Sequence, residues 1–270
     1  MKKQIICIRW GEKYGVDYVN RLYGMVARHV TPPFDFYCFT DTFEGLDPGI
    51  TAMPLPELDC NMPNVRQGIW GKSRLWRSDL GDLSGPVLFL DLDVVVTGNL
   101  DAMFEYGDPD DVILTRNPNT PFERLGQTSL YRFPIGKLAP LREEFLADPQ
   151  GTAEKYVFEQ RFVTRRTPGG VKFWPKGWVA TFKWHCIRQF PINFFAPPKL
   201  PKDAKVVIFP GGLNPIDAIE GRWNSRSTHM APMEHVKAGL RGERDGSMLR
   251  HLRHFLWPTK WVEENWRKDP

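Results

Sequence analysis

Residues 87–101, VLFLDLDVVVTGNLD, constrain the possible folds of this chain more than any other stretch. Val87, Leu88, Phe89 and Leu90 form an apolar run of strand-forming residues, the pattern of a strand buried on both faces of a parallel sheet. The run meets Asp91 and Asp93, with only Leu92 between them. Side chains alternate faces along an extended chain, so the two carboxylates are predicted to point the same way. Like charges held that close in a low-dielectric setting repel and need compensation. A hard divalent cation with oxygen ligands, Mn²⁺ or Mg²⁺, supplies it. Open α/β sheets bind ligands beyond the carboxyl ends of their strands, where these residues fall. The plainer alternative is that both aspartates only cap a turn, a common use of aspartate. The apolar residues before them and Val94-Val95-Val96 after them favour the metal site.

The arrangement resembles the D-x-D strand of GT-A glycosyltransferases, especially the retaining, family-8-like group with the pattern Y-L-D-x-D-x-x-V-x-G-x-L. The matching residues are Phe89, Leu90, Asp91, Asp93, Val96, Gly98 and Leu100. The resemblance implies an α/β fold of GT-A type, a Rossmann-like α/β/α sandwich with a mixed, mainly parallel central sheet. It also implies that Asp91 and Asp93 hold Mn²⁺ or Mg²⁺ against the diphosphate of a nucleotide sugar, with Leu92 alongside the donor.

The order of elements agrees. Residues 4–8 read as a first buried strand, 16–29 as a helix with Val19, Leu22, Tyr23 and Val26 on one face, and 34–39 as a second strand. A third strand is expected near 50–53, strands over 111–116 and 129–133, helices over 141–146 and 154–163, and a last core strand over 206–210. Strand, helix, strand ahead of the aspartates is the order of a doubly wound domain. One GT-A-type domain is expected over residues 1–270. Its nucleotide-binding half would cover 1–105, its acceptor and sugar-binding half 106–235, and a helical, aromatic tail 236–270.

Several further residues take roles from the resemblance. In the loop after the first strand, Arg9, Trp10, Gly11 and Tyr14 fall where the family holds the nucleotide base. The two aromatics suit stacking, although packing the loop down explains each equally, and the glycine lets the backbone approach. Asp41, ending the second strand, suits a base or ribose contact, although a turn role explains it equally. On the segment 69–76, Lys72 and Arg74 are candidates to reach the donor sugar or phosphates. Arg74 is favoured because Leu75 follows it, as in the family's R-L pair. Glu159-Gln160 matches the family's D-Q pair, the acid bonding sugar hydroxyls and the amide facing the reacting carbon. Gln127-Thr128-Ser129-Leu130 stands where the family has a short polar element lining the sugar pocket. In the pattern h-h-F-H-G-x-x-K-P, Phe209, Gly211 and Pro215 fit. Pro210 replaces a metal-binding histidine and Asn214 replaces the lysine that neutralises the leaving diphosphate. Asn214 is therefore the residue expected beside that group, and His185 and His229 are weak substitutes for the missing ligand.

Composition sets outer bounds. With 36 Lys and Arg against 32 Asp and Glu, the net charge of +4 does not call for a nucleic-acid partner. The basic, aromatic stretch 160–190 lacks acidic residues and suits an acidic glycan or an acceptor on a lipid diphosphate; a partly buried aromatic cluster with a solvated charged rim explains it nearly as well. It carries no recognisable nucleic-acid motif. The four cysteines (Cys7, Cys38, Cys60, Cys186) form no C-x-x-C pair, which fits reduced thiols in the cytoplasm. The start has too short an apolar run for a secretion signal. Trp257, Trp261 and Trp266 beside basic residues either touch a membrane surface, placing the protein at its inner face, or pack back on the domain.

The expected activity is metal-dependent transfer of a sugar from a nucleotide-sugar donor, UDP-linked in the family, to a glycan or lipid-linked acceptor with retention. One alternative is a phosphatase of the haloacid-dehalogenase type, because Leu90-Asp91-Leu92-Asp93-Val94 also fits its motif. That motif normally lies on the first strand, whereas other strands precede it here. A second alternative is a sugar- or nucleotide-binding protein of the same fold with weakened turnover, which Pro210 and Asn214 keep open.

Overall fold

Five successive side chains of QIICIR, all but the last, are buried, so this segment is shaped to lie inside a sheet covered on both faces. In the computed structural model, which describes residues 2–66, 69–120, 122–244 and 246–269, it forms β1 (Gln4–Arg9). The chain continues through α1 (Val16–His29), β2 (Asp35–Thr40) and β3 (Thr51–Pro54) to a 3-10 segment at Ile69–Leu75. There follow β4 (Pro86–Leu90), β5 (Val95–Val96), α2 (Asp101–Glu105), β6 (Ile113–Arg116) and β7 (Gly126–Pro134). Next come α3 (Ala139–Ala147), α4 (Pro149–Tyr156), α5 (Glu159–Arg166), β8 (Lys172–Phe173) and β9 (Val179–Thr181). The last elements are β10 (Val206–Ile208), α6 (Pro215–Glu220), α7 (Pro232–Leu240), α8 (Met248–Arg253) and α9 (Lys260–Asn265).

Contacts divide the chain into two compact units. The first comprises the residues up to Leu92 together with Asn99–Pro175. It is built on a seven-stranded sheet in the order β3-β2-β1-β4-β7-β6-β8. β1, β2, β3 and β4 run parallel, and β7 is antiparallel to both its neighbours. The side chains of Ile6, Ile8, Phe89, Tyr131 and Phe133 meet Trp70, Trp76, Phe145 and Phe162 in one core. Trp70 lies flat on Phe145 at 5.1 Å between ring centroids. Removal of these large side chains from water is the main stabilising term.

Arg132, on β7, is fully buried beside that core. Its guanidinium donates to the carbonyls of Met103 (3.0 Å), Phe104 (3.1 Å) and Asp108 (2.6 Å). The final carbonyls of a helix lack partners within it, and this side chain supplies them at the end of α2.

The second unit comprises Asp93–Gly98 and Lys176–Asp269. Its three-stranded sheet runs β5-β10-β9, with Val206 opposite Val96 on one side and Val179 on the other. No helix among the described residues is long and apolar enough to cross a membrane.

Three local expectations change. The strand before the aspartates ends at Leu90, and Leu92 and Asp93 lie in a turn, so simple alternation does not set their directions. The helix expected over 154–163 is two helices, because Val157 adopts φ 63°, a conformation costly for a β-branched residue. Tyr156 and Phe162 on either side of that break then reach one another at 5.0 Å. The strand expected at 206–210 ends at Ile208 and belongs to the small sheet, not the central one.

Candidate active site

Asp91 leaves β4 still attached to the sheet: its N–H donates to the Ser129 carbonyl at 2.9 Å, extending the antiparallel β4–β7 ladder beyond Leu90. This puts its carboxylate at the mouth of the strand, next to Thr128 on β7. The 3-10 segment brings Lys72 to the same point. Within that segment Trp70, Gly71, Ser73 and Leu75 are buried, while Lys72 extends toward Asp91. α5 starts at the same place, with Glu159 as its first residue.

The Lys72 ammonium lies 2.7 Å from Oδ1 and 2.9 Å from Oδ2 of Asp91, and donates to the Thr128 carbonyl at 3.2 Å. It is 4.0 Å from Glu159 Oε1 and 5.2 Å from the centre of the Phe89 ring. The Thr128 hydroxyl donates to Glu159 Oε1. The side chains of Lys72, Asp91 and Glu159 retain 13%, 22% and 6% of their exposure, so the cluster opens to solvent on the Asp91 side. Burial raises the Glu159 pKa above the usual carboxylate value, and Asp91 pushes it further; Lys72 and the Thr128 hydroxyl oppose the rise. One cation thus faces two carboxylates. Lys72 supplies part of the compensation that the sequence alone assigns wholly to a metal.

The donor set still suits a shared cation. A carboxylate has about four lone-pair sites, so Lys72 does not exhaust Asp91. Mg²⁺-type sites commonly use one or two carboxylates and take their other ligands from phosphate and water. Among the described residues, no group of three or more His, Cys, Asp or Glu is placed to hold a metal. Asp91 therefore fits an ion completed by substrate oxygens, not a closed protein cage. Asp93 is partly buried and begins the segment Asp93–Gly98 of the second unit. Leu92 is 3% exposed and offers a ligand only its backbone.

The loop after β1 is braced to β2. Arg9 donates to the Tyr14 carbonyl at 3.0 Å and the Thr42 carbonyl at 3.3 Å. Gly11, at φ 61°, donates its N–H to Asp41 Oδ2 at 2.9 Å. Arg9 and Asp41 thereby hold the loop in shape. Trp10 is half-buried against Gly71, where an added Cβ would come within 2.7 Å of its ring, so glycine is what lets the tryptophan close over the Lys72 segment. Tyr14 packs on Tyr18 at 4.8 Å, with the Lys13 ammonium 4.6 Å from its ring centre.

Gln160 follows Glu159 on α5, and its half-exposed side-chain amide makes no hydrogen bond among the described residues. Arg74 donates to the Pro56 carbonyl and supports the loop after β3. Lys72, not Arg74, is the basic residue joined to Asp91. In the second unit, Asn214 caps α6. It accepts from the Asp217 N–H at 3.1 Å, while the Asp217 carboxylate accepts from the Asn214 N–H at 3.1 Å. His229 Nδ1 lies 3.1 Å from the Gly221 carbonyl, and His185 Nδ1 accepts from the Thr181 N–H at 2.8 Å.

Sequence reasoning assigns Thr128 only a loose pocket role, yet it is the residue that joins Lys72, the partner of Asp91, to Glu159. The short polar run Gln127-Thr128-Ser129 in a strand that is buried everywhere but at Ser129 is the signal that could have found it.

No protein-family model and no curated protein matches the chain. Solved structures do. The galactosyltransferase LgtC in complex with donor and acceptor sugar analogs aligns with a TM-score of 0.56 and 13% identity, over 78% of this chain and 88% of LgtC. The glycosyltransferase GlyE of Streptococcus pneumoniae TIGR4 aligns with a TM-score of 0.54 and 13% identity, over 80% of this chain and 56% of GlyE. The bifunctional glycosyltransferase WbbM aligns with a TM-score of 0.56 and 11% identity, over 98% of this chain and 51% of WbbM. The chain has the GT-A glycosyltransferase fold. Within this GT-A fold the Lys72–Asp91–Glu159 cluster stands beyond the carboxyl end of a central parallel strand, the position at which open α/β sheets bind ligands. The haloacid-dehalogenase alternative is not favoured: the matched structures are glycosyltransferases, and β1, β2 and β3 precede the aspartate motif.

Proposed function

We propose that this chain is a glycosyltransferase that moves a sugar from a nucleotide-sugar donor, UDP-linked by family resemblance, to a glycan or lipid-linked acceptor. The observation that carries this reading is the half-buried Lys72–Asp91–Glu159 cluster at the end of β4 in a GT-A fold. The donor and acceptor sugar analogs bound to LgtC support the substrate class. An active-site glutamine-to-glutamate mutant of LgtC, whose structure aligns over 92% of this chain with 14% identity, is consistent with a role for Gln160.

Asp91 and Asp93 would hold Mn²⁺ or Mg²⁺ with the donor diphosphate, where the ion neutralises charge on the leaving group. Lys72 holds the Asp91 carboxylate in place through both its oxygens, and lends its own positive charge to the same region. Glu159, held by Thr128, accepts hydrogen bonds from sugar hydroxyls. The Gln160 carbonyl dipole faces the anomeric carbon as positive charge develops there. Arg9, Trp10, Gly11, Tyr14 and Asp41 form the base and ribose side of the donor site, Arg74 supports it through the loop after β3, and Asn214 takes by resemblance the position beside the leaving diphosphate. Transfer proceeds on one face of the sugar. The bond from the anomeric carbon to the phosphate oxygen breaks, a bond to the acceptor oxygen forms, and the departing phosphate takes the acceptor proton. The configuration is retained. Reduced cysteines agree with a cytoplasmic setting, and a lipid-linked acceptor with contact at the inner face of the membrane. Nucleic acid has no part in this reading.

The test is to follow sugar transfer from a panel of nucleotide sugars with Mn²⁺ and to assign the anomer of the product by NMR. A retained anomer is expected. An inverted product would overturn the single-face route, and nucleotide binding without any sugar release would favour a binding protein of this fold.

A further inference from the structure

Large apolar side chains are exposed unevenly in this molecule. Of nine such residues among those described, seven lie in the second unit, and four of them are on the single loop between β9 and β10. Trp184, Phe190, Ile192 and Phe195 are 59%, 38%, 56% and 84% exposed. Scattered exposed apolar residues are ordinary, but a concentration on one loop marks a contact surface.

The loop is not loosely attached. Asn193 is buried, and its amide donates to the Leu252 carbonyl at 2.9 Å and the Phe255 carbonyl at 3.2 Å. Phe194 stacks on Phe255 with ring centroids 4.5 Å apart. Lys199 N–H donates to the Cys186 carbonyl at 2.9 Å, closing the base of the loop. Asn193 and Phe194 therefore face inward, while Ile192 and Phe195 on either side are held outward. Apolar groups fixed in position before contact lose little freedom on binding.

Charge selects the partner. No acidic residue occurs between Glu159 and Asp203, and Arg188, Lys199 and Lys202 are exposed on and beside the loop. The second unit as a whole carries sixteen Lys and Arg against ten Asp and Glu, although the chain's excess is only +4. Exposed apolar side chains on a loop that also carries exposed cations match an anionic lipid surface, where tryptophan suits the headgroup level and basic side chains add attraction. A second copy of the chain fits poorly, because a two-fold contact through this loop would set the same cations against each other. The tail tryptophans do not compete for the role. Trp266 is buried, Trp261 donates to the Pro198 carbonyl at 3.1 Å, and Trp257 packs on Phe255 at 5.4 Å.

We infer that the loop carrying Trp184, Phe190, Ile192 and Phe195 is a docking surface for an anionic lipid bilayer. The inference does not rest on the transfer reaction, although it locates the membrane contact that a lipid-linked acceptor would call for.

The experiment is co-sedimentation of the full chain with phosphatidylglycerol vesicles and with phosphatidylcholine vesicles, for the wild type and for an Ile192→Asp/Phe195→Asp double variant. Both residues are exposed, so the variant should keep its melting temperature and any nucleotide-induced shift; Phe195→Ser is the milder fallback. The wild type is expected to prefer phosphatidylglycerol by at least about tenfold, with the preference falling as salt rises. The double variant is expected to lose about tenfold in that binding. Wild type that ignores phosphatidylglycerol overturns the inference, as does binding that the double variant leaves intact. A concentration-dependent dimer that the same variant dissociates, without vesicle binding, also overturns it in favour of a second copy. Because nucleotide binding is measured separately, failure here leaves the proposed transfer reaction standing.

Discussion

The ammonium of Lys72 reaches both carboxylate oxygens of Asp91, at 2.7 and 2.9 Å, although the two lie nineteen positions apart in the chain. That pair, with Glu159 at 4.0 Å from the same ammonium, gives the end of β4 its electrostatic character. Truncating Lys72 would leave two carboxylates, one of them almost fully buried, without their cation.

Lys72→Met is therefore expected to lower stability by about 2 kcal/mol, a typical cost of removing one partner from a buried ionic network. Lys72→Arg should recover part of that loss. Urea unfolding of the three proteins checks this; equal midpoints would mean that the pair contributes nothing.

Thr128→Val removes the hydroxyl that favours ionised Glu159, so the Glu159 pKa, already raised by burial, should rise further. A carboxyl with a raised folded-state pKa contributes stability that is fully present below its unfolded value. That contribution is lost as pH rises through the folded value. Melting temperature against pH should show the loss at higher pH in Thr128→Val than in the wild type, and Glu159→Gln should abolish it.

The second unit should weaken in acid through His254. Its imidazole lies parallel to the Trp223 ring at 4.2 Å, and burial, with help from Arg250 and Lys183, lowers its pKa to about 4. The unfolded chain then binds the proton first, so stability falls as pH drops from about 6.5 towards 4. His254→Phe keeps the stacking and removes the titration. Its melting temperature is expected to change less than that of the wild type between pH 7 and 4, and parallel curves would rule out His254 as the source.

Arg132→Met should cost on the order of 3 kcal/mol, since the Met103, Phe104 and Asp108 carbonyls lose a buried donor together. Chemical denaturation tests this, and a loss below about 1 kcal/mol would show that water replaces the guanidinium.

Much of the central sheet was legible because its signals are local. The helix at Val16–His29 follows from apolar spacing, and the strand before Asp91 from an unbroken apolar run. The break at Val157 was not legible: apolar residues continue through it, and nothing in a valine announces a positive φ. The choice between Lys72 and Arg74 depends on the path of a 3-10 segment, which spacing alone does not reveal. The Thr128–Glu159 bond spans 31 residues, and the pairing of Val96 with Val206 spans far more. Such contacts arise from tertiary packing and leave no local pattern. Asn214 looked like a departure from a charged ligand position, whereas its capping box gives it a sufficient structural reason.

The proposed chemistry stands on a cation-assisted nucleotide site at Asp91 and Asp93. Thermal stabilisation by UDP, GDP and CDP, each with and without Mn²⁺, in the wild type and in Asp93→Ala, tests that site. A ligand that binds only the folded state raises the unfolding midpoint, by an amount that grows with the logarithm of its concentration once it exceeds the Kd. The expected result is a Mn²⁺-dependent shift with one nucleotide, UDP, that Asp93→Ala abolishes. No shift with any nucleotide, or an equal shift in Asp93→Ala, would contradict it.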